Sequence, residues 1–369
     1  MNAIRPILTR RAAALFTLSL AASAAACSAD PGGPAGPSRP GGGPAPEEAC
    51  SAVTGPGTVH ETDVTADETW RAEDGPHLVR GRVAVRAGAH LTIAPCAEVR
   101  LEADASLDVG LASGDEAARL SAEGTARRPI RFVRSGADPW SSLAVFAPSR
   151  ATLRHVALEG GGSDHFRDRA TLYVLGDWKA PSASPLLVDH VTVKGSRGHG
   201  VVMAHAATFD PASTWLDVTG SGADGGGYPL VIGEHTLGSV PDGNYLGNQT
   251  DEILVLEDGA NGFIGLQTDA TVRRRTAPYR VGELDGQHLQ VGGSGPGGAL
   301  VTLTIEAGVE MRFSKDAKLL VHSDPDRPRG ALRVLGTAEA PVLLTATAAE
   351  RRPGGWSGLW FDAPVAAEN

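Results

Sequence analysis

The sequence predicts an all-β chain in which short strands stack on one another as a parallel β-helix, and three observations carry that prediction. Glycine and proline supply 47 and 25 of the 369 residues, while Phe, Trp and Tyr together number 18. Both of the abundant residues interrupt helix interiors, so long amphipathic helices are excluded. Apolar runs of three to four residues recur every 6 to 13 positions, separated by Gly, Asp, Ala and Pro, a spacing that suits strands and turns. Finally, one stretch of the chain repeats 212 residues later, which favours stacking over a sandwich.

The chain opens with Arg5, Arg10 and Arg11 ahead of an apolar run from Ala12 to Ala26, the positive-then-apolar order of an export signal and too short to span a bilayer comfortably. Small residues lead directly into Cys27. They resemble the lipobox of bacterial lipoproteins, which makes Cys27 the expected lipidation site, although Ala24 stands where leucine is more usual. Ordinary secretory cleavage nearby and a retained anchor are the other readings. Thr9-Arg10-Arg11 is a partial twin-arginine signal that lacks bulky apolar residues at Ala13 and Ala14. Removal of this segment leaves 30 basic against 43 acidic residues, a net charge of −13. The basic residues are nearly all arginine, which on so acidic a chain argues against nucleic acid as a partner. No later segment is apolar enough to cross a membrane, so attachment is expected through the lipid on Cys27.

Residues 28–49 follow as a linker, with 12 of 22 positions Gly or Pro. Lacking large apolar side chains, this segment is expected to be disordered, reaching roughly 25 Å as a coil and about 70 Å fully extended. Cys50 and Cys96 then form an even pair in an oxidising compartment. A disulfide is the simplest reading, contributing roughly 3 to 4 kcal/mol in the chain-entropy model. Two unpaired thiols are the alternative, since two cysteines offer no spacing check.

From residue 50 to 369 the strands are expected to be continuous. Runs at Leu91-Thr-Ile93, Val99-Arg-Leu101, Leu107-Asp-Val109, Ile130-Arg-Phe-Val133 and Leu143-Ala-Val-Phe146 open the series. Leu153-Arg-His-Val156, Leu187-Val-Asp-His-Val191, Val201-Val-Met203, Trp215-Leu-Asp-Val218, Ile253-Leu-Val-Leu256 and Phe263-Ile-Gly-Leu266 extend it. The repeat pairs Leu91–Leu101 with Leu303–Phe313, and positions 91–130 share 14 identities in 40 with their counterparts. Trp140-Ser-Ser-Leu143 matches Trp356-Ser-Gly-Leu359 after a four-residue insertion, which a loop absorbs readily. Two related segments, about 75–162 and 285–369, are therefore expected. Copy one runs on into Ala151–Leu158, whereas copy two stops at Asn369 before the equivalent strand. A capping loop, a second molecule on the exposed edge, or a truncated sequence would each account for this.

These residues resemble the bacterial envelope and secreted proteins known as right-handed parallel β-helix repeat proteins, over roughly residues 75–363. The specific phrases are Leu303-Thr-Ile-Glu-Ala-Gly-Val309, Gly336-Thr-Ala-Glu-Ala-Pro-Val342 with Gly355-Trp-Ser-Gly-Leu359, and Tyr228-Pro-Leu-Val-Ile232 with Gly243-Asn-Tyr-Leu-Gly-Asn248. The resemblance implies a right-handed coil on the cell surface or in the periplasm, with no single activity attached to it. Glycine and asparagine are expected at left-handed corners.

Candidate chemistry is sparse. Gly220-Ser-Gly-Ala-Asp-Gly225 and Gly293-Ser-Gly-Pro-Gly-Gly298 both satisfy GxGxxG but lead into strands, without the helix N-terminus that would hold a pyrophosphate. No nucleotide or other cofactor is expected. There is no CxxC, HExxH or GxSxG, and Ser357 lacks a nucleophile elbow. Asp324 and Asp326 read as a turn around Pro325, and no metal site is assigned. His77 and His90 follow turn-forming residues and are expected to be exposed. Asn244, Asn248 and Asn261 suggest corners or a stacked amide ladder.

Two groups remain. Asp164-His165-Phe-Arg167-Asp168 reads as a charge-compensated loop or a substrate-facing one. Asp189, His190, Lys194, Arg197, His199 and His205 read as outward positions of alternating strands or a basic groove beside a carboxylate. The expectation is a lipid-anchored envelope protein, of the outer membrane, with no assigned catalytic residue. It would present its β-helix flank to glycan or another envelope protein. The rival is a polysaccharide lyase or glycoside hydrolase, which would bring three or more of Asp164, Asp168, Asp189, Lys194, Arg197 and His199 into one groove.

Overall fold

Alternation of apolar and polar residues within each short run decides which face a strand buries. In Glu98–Leu101 and Glu310–Phe313 the second and fourth residues are buried and the others are not. The computed structural model describes residues 48–112, 117–164, 167–177, 185–223, 225–257, 265–293, 299–322 and 329–362. The expectations for Cys27, the signal segment, residues 28–47, His165, Asn261, Asp324 and Asp326 lie outside these residues. Within them the chain is mostly strand with short 3-10 turns, and every strand pairing is parallel.

The first half of the chain fills three sheets in rotation. His90–Ile93 belongs to a five-stranded sheet, Glu98–Leu101 to a seven-stranded sheet and Ser106–Val109 to a ten-stranded sheet, and the next three strands visit the same sheets again. From Glu68–Trp70 on, each strand of this half thus pairs with the third one after it. The register aligns side chains into columns: Val99, Phe132, Leu158, Val193 and Val218 face one another across five strands, and all are essentially inaccessible to solvent. Leu107, Leu143, Leu172, Val201 and Leu230 form a second column in the ten-stranded sheet, joining the same core. Burying such side chains contributes roughly 1.5 to 3 kcal/mol each.

Strands and corners differ from the sequence reading in an instructive way. Leu153–Val156 and Leu187–Val191 read as single strands, yet each is broken by a histidine: His155 and His190 adopt left-handed backbone (φ 46° and 53°) between Arg150–Arg154 and Val156–Glu159, and between Leu186–Asp189 and Val191–Lys194. The corners turn on Ala87, Cys96, Asp104, His155, His190 and Asp316 as well as glycines, and no described asparagine has positive φ. Asn248 instead donates to the Val218 and Tyr245 carbonyls and accepts from the Ser221 amide, tying neighbouring strands. Asn244 bonds Leu246 two residues on.

The repeat is preserved strand by strand but displaced by one sheet. Glu98–Leu101 lies in the seven-stranded sheet, whereas its counterpart Glu310–Phe313 lies in the ten-stranded one. Ser106–Val109 is in the ten-stranded sheet and its counterpart Lys318–Val321 in a three-stranded sheet with Leu289–Val291 and Gly358–Phe361. The shift arises in the middle of the chain. Leu230–Gly233 and Ile253–Leu256 are adjacent in the ten-stranded sheet, with a 3-10 turn, Glu234–Ser239, between them where a strand of the five-stranded sheet would stand. At the N-terminal end Cys50 and Cys96, separated by 46 positions in sequence, are bonded, with Cα atoms 5.3 Å apart. No helix among the described residues is long and apolar enough to cross a membrane.

Candidate functional site

The displacement of the repeat opens a groove. The five- and seven-stranded sheets end at Leu186–Asp189 and Leu216–Thr219, and beyond them only single bridges persist, Leu186 to Phe209 and Trp215 to Asp242. Where regular pairing stops, the chain between 209–215 and 238–242 encloses a groove of about 700 Å³ with Arg273 and Arg275 on its wall. Two buried tyrosines fix that wall, because the Tyr245 hydroxyl donates to the Pro241 carbonyl (2.8 Å) and the Tyr279 hydroxyl to the Arg273 carbonyl (2.9 Å). The Arg275 side chain is buried and already engaged: it donates to Asp242 Oδ1 at 2.9 Å and to the Val240 carbonyl.

Trp215 is the groove's open surface, with 44 % of the residue exposed. Its indole N–H donates to Asp217 Oδ1 at 2.8 Å, and the same oxygen accepts from the Asn244 amide at 2.8 Å. The ring is therefore held in orientation while its apolar surface faces solvent. An oriented indole with carboxylates (Asp210, Asp242) and a guanidinium (Arg273) beside it can stack on a sugar ring and bond its hydroxyls.

Of the residues singled out in the sequence, Asp189 and His190 reach the edge of this groove. Thr214, on its wall, donates to Asp189 Oδ1 at 2.5 Å. That bond, with those from His190 and Arg154, pulls the Asp189 carboxyl down to about 2 against the opposing effect of partial burial. Arg154 Nη1 stands 2.7 Å from Asp189 Oδ2, and the imidazoles of His155 and His190 stack at 4.8 Å between centroids. This is a fixed corner, fully committed to its own partners.

The other candidates are dispersed. His199 accepts from the Tyr228 amide (3.2 Å) and stacks on its ring, and burial lowers its pKa to about 4. Lys194 is exposed on Val191–Lys194. Arg167 bonds Asp108 and Ser142 on the ten-stranded sheet at 2.8 Å each, with Asp164 3.5 Å from its Nε, so that loop is clamped to the sheet. Asp168 and His205 line a different cavity, on the second face of that sheet. His77 is not exposed: it is 2 % accessible, stacked on Trp70, because Gly75-Pro76 leads straight into the strand His77–Val79. His90 is half-buried against Ser121.

Sequence reasoning missed Trp215, which read as a strand residue, and Arg273 and Arg275. The consecutive arginines 273–275 in an acidic chain were the available signal. Among the described residues no group of three metal-ligating side chains converges. A scan against protein-family models found no match, and searches of curated proteins and of solved structures found none either.

Proposed function

We propose that the chain is a cell-envelope lipoprotein, anchored through lipid on Cys27, whose residues 50–369 wind as a right-handed parallel β-helix that holds glycan in the groove beside Trp215 without cleaving it. The coil reading is supported by the pairing of most strands with the third one after them and by the stacked columns of the core, and its hand follows from the right-handed preference of parallel crossovers. The anchor rests on the residues around Cys27.

The observation that carries the glycan reading is the oriented, solvent-facing indole of Trp215 at the edge of a groove large enough for several sugar rings. A mere spacer has no need to fix an exposed tryptophan. The described cavities bring in Asp168 alone of the six residues whose convergence would favour a lyase or hydrolase.

The test is a panel of acidic and neutral polysaccharides, with and without calcium, scored for binding and for new reducing or unsaturated ends. Binding without turnover, weakened about tenfold by Trp215→Ala as expected for one stacking aromatic, is the expected outcome. Release of new ends, abolished by Lys194→Ala or Arg197→Ala, would overturn the non-catalytic reading. Binding indifferent to Trp215→Ala would move the site elsewhere.

A further inference from the structure

The second face of the ten-stranded sheet carries its own apolar cluster. Tyr173, Val202, Val231 and Leu254 succeed one another across adjacent strands on the side opposite the core column, and Val202, Val231, Leu254 and Tyr228 pack together with Tyr173, Ala204 and Leu256 against them. At the ends of Val201–Ala204, Leu230–Gly233 and Ile253–Leu256 this face opens into a cavity of about 170 Å³, with Asp168, His205 and Glu257 on its rim.

What distinguishes this cavity is the treatment of its carboxyl groups. Elsewhere on the same face, carboxylates are neutralised by arginine. Asp108 lies 2.6 Å from Arg82 and 2.8 Å from Arg167, and Glu252 lies 2.9 Å from Arg312 and 3.6 Å from Arg280. Asp168 and Glu257 have no such partner: among the described residues no Lys or Arg forms an ion pair with either. The charge that shifts Asp168 is another carboxylate, Glu283. Glu257 receives a single bond, from the His288 amide. Partial burial raises the pKa of both carboxyls, Glu283 adding to the effect at Asp168, which is the behaviour of acids that lack a cation. The site therefore offers an apolar floor and uncompensated negative charge at its mouth.

We propose that this cavity binds an organic ammonium ion, its alkyl chain on Val202, Val231 and Leu256 and its charged head between Asp168 and Glu257. The hydrocarbon floor distinguishes this ligand from a bare metal ion, which would need several convergent oxygen donors. An ammonium group supplies the hydrogen-bond donors and charge that the two carboxyls lack. The ammonium head pairs with the ionised carboxyls, so binding weakens as pH falls and they take up protons.

The experiment is titration calorimetry of the full chain with 1,5-diaminopentane and n-butylammonium at low ionic strength, near neutral pH and again near pH 4. Calcium and tetramethylammonium serve as comparison probes. Saturable binding of the alkylammonium probes is expected, weaker at the lower pH, and at neutral pH weakened about tenfold by Asp168→Asn and by Glu257→Gln but not by Trp215→Ala. Both variants are near-isosteric, and unchanged circular dichroism and thermal midpoints confirm that each folds. Absence of saturable binding, affinity in both carboxamide variants unchanged from that of the unsubstituted protein, or preference for calcium over the alkylammonium probes would each overturn the proposal.

Discussion

Around Trp70 three rings form a chain of fixed protonation. His77 Nε2 donates to the Arg71 carbonyl (2.8 Å), which leaves its Nδ1 to accept from His60 Nε2 at 3.1 Å. His60 in turn stacks on Trp70 at 3.9 Å between centroids. The bonds hold only while His77 is neutral, since its Nδ1 must accept. Burial, reinforced by His77 and opposed by Glu68, lowers the His60 pKa from 6.5 to about 4; burial also lowers that of His77, against the pull of the Arg71 carbonyl, Asp74 and Glu68. Between those two values for His60 the unfolded chain binds a proton that the folded chain refuses. Stability is therefore fully retained above the ordinary imidazole pKa and lost as pH falls towards the folded value. The urea midpoint is expected to drop between about pH 7 and pH 5, and the drop should shrink in His60→Phe, which keeps the stack but cannot titrate. Equal slopes for the two proteins would contradict this account. His77 also marks a limit of sequence reading, since Gly75-Pro76 signals a turn but not that the next side chain points inward.

At the scale of elements, strands were legible and corners were not. A buried strand position announces itself by alternation, as in Val99 and Leu101 or Met311 and Phe313. A left-handed corner at histidine does not, because only glycine advertises that conformation and His155 and His190 interrupt apolar runs without changing their pattern. The groove depends on one corner that glycine alone can make. Gly243 has φ 154°, follows Asp242 of the groove wall, and packs so closely that an added Cβ would overlap the Leu216 carbonyl. Its own carbonyl accepts from Thr276 Oγ1 at 3.1 Å, so it cannot move away without breaking the link to the next strand-bearing segment. Gly243→Ala is expected to cost about 2 kcal/mol or more in denaturant unfolding and to weaken glycan binding along with it. Full stability in that variant would show that the wall yields more easily than its packing implies. The groove itself could not be read from sequence, since Trp215, Asp242 and Arg273 are brought together by the loss of two ladders at one level.

For the whole molecule, the arrangement makes stability a property of neighbours: each strand is held by the strands on either side of it in its sheet, and an end strand by one. The two ends are not equally protected. At one, Thr58–His60, Glu68–Trp70 and Arg82–Val85 are end strands, but the Cys50–Cys96 bond, the buried Trp70 and the bridge from Val64 to Val85 reinforce them. At the other, Arg329–Val334, Leu343–Ala346 and Gly358–Phe361 are each paired on one side among the described residues, and Leu343, Trp360 and Phe361 are 48, 50 and 63 % exposed. Apolar side chains left in water contribute little of the roughly 1.5 to 3 kcal/mol that burial would give. Opening should therefore begin at residues 329–361 and progress towards the centre. Native-state hydrogen exchange is expected to show the weakest protection in those three strands and the strongest in Ile130–Arg134, Val156–Glu159 and Leu172–Leu175, which are flanked on both sides. Reduction of the disulfide should lower protection at the N-terminal end strands and leave the other end unchanged. A uniform loss across all sheets on reduction would mean that the protein opens as one unit, and the neighbour-by-neighbour account of its stability would fail.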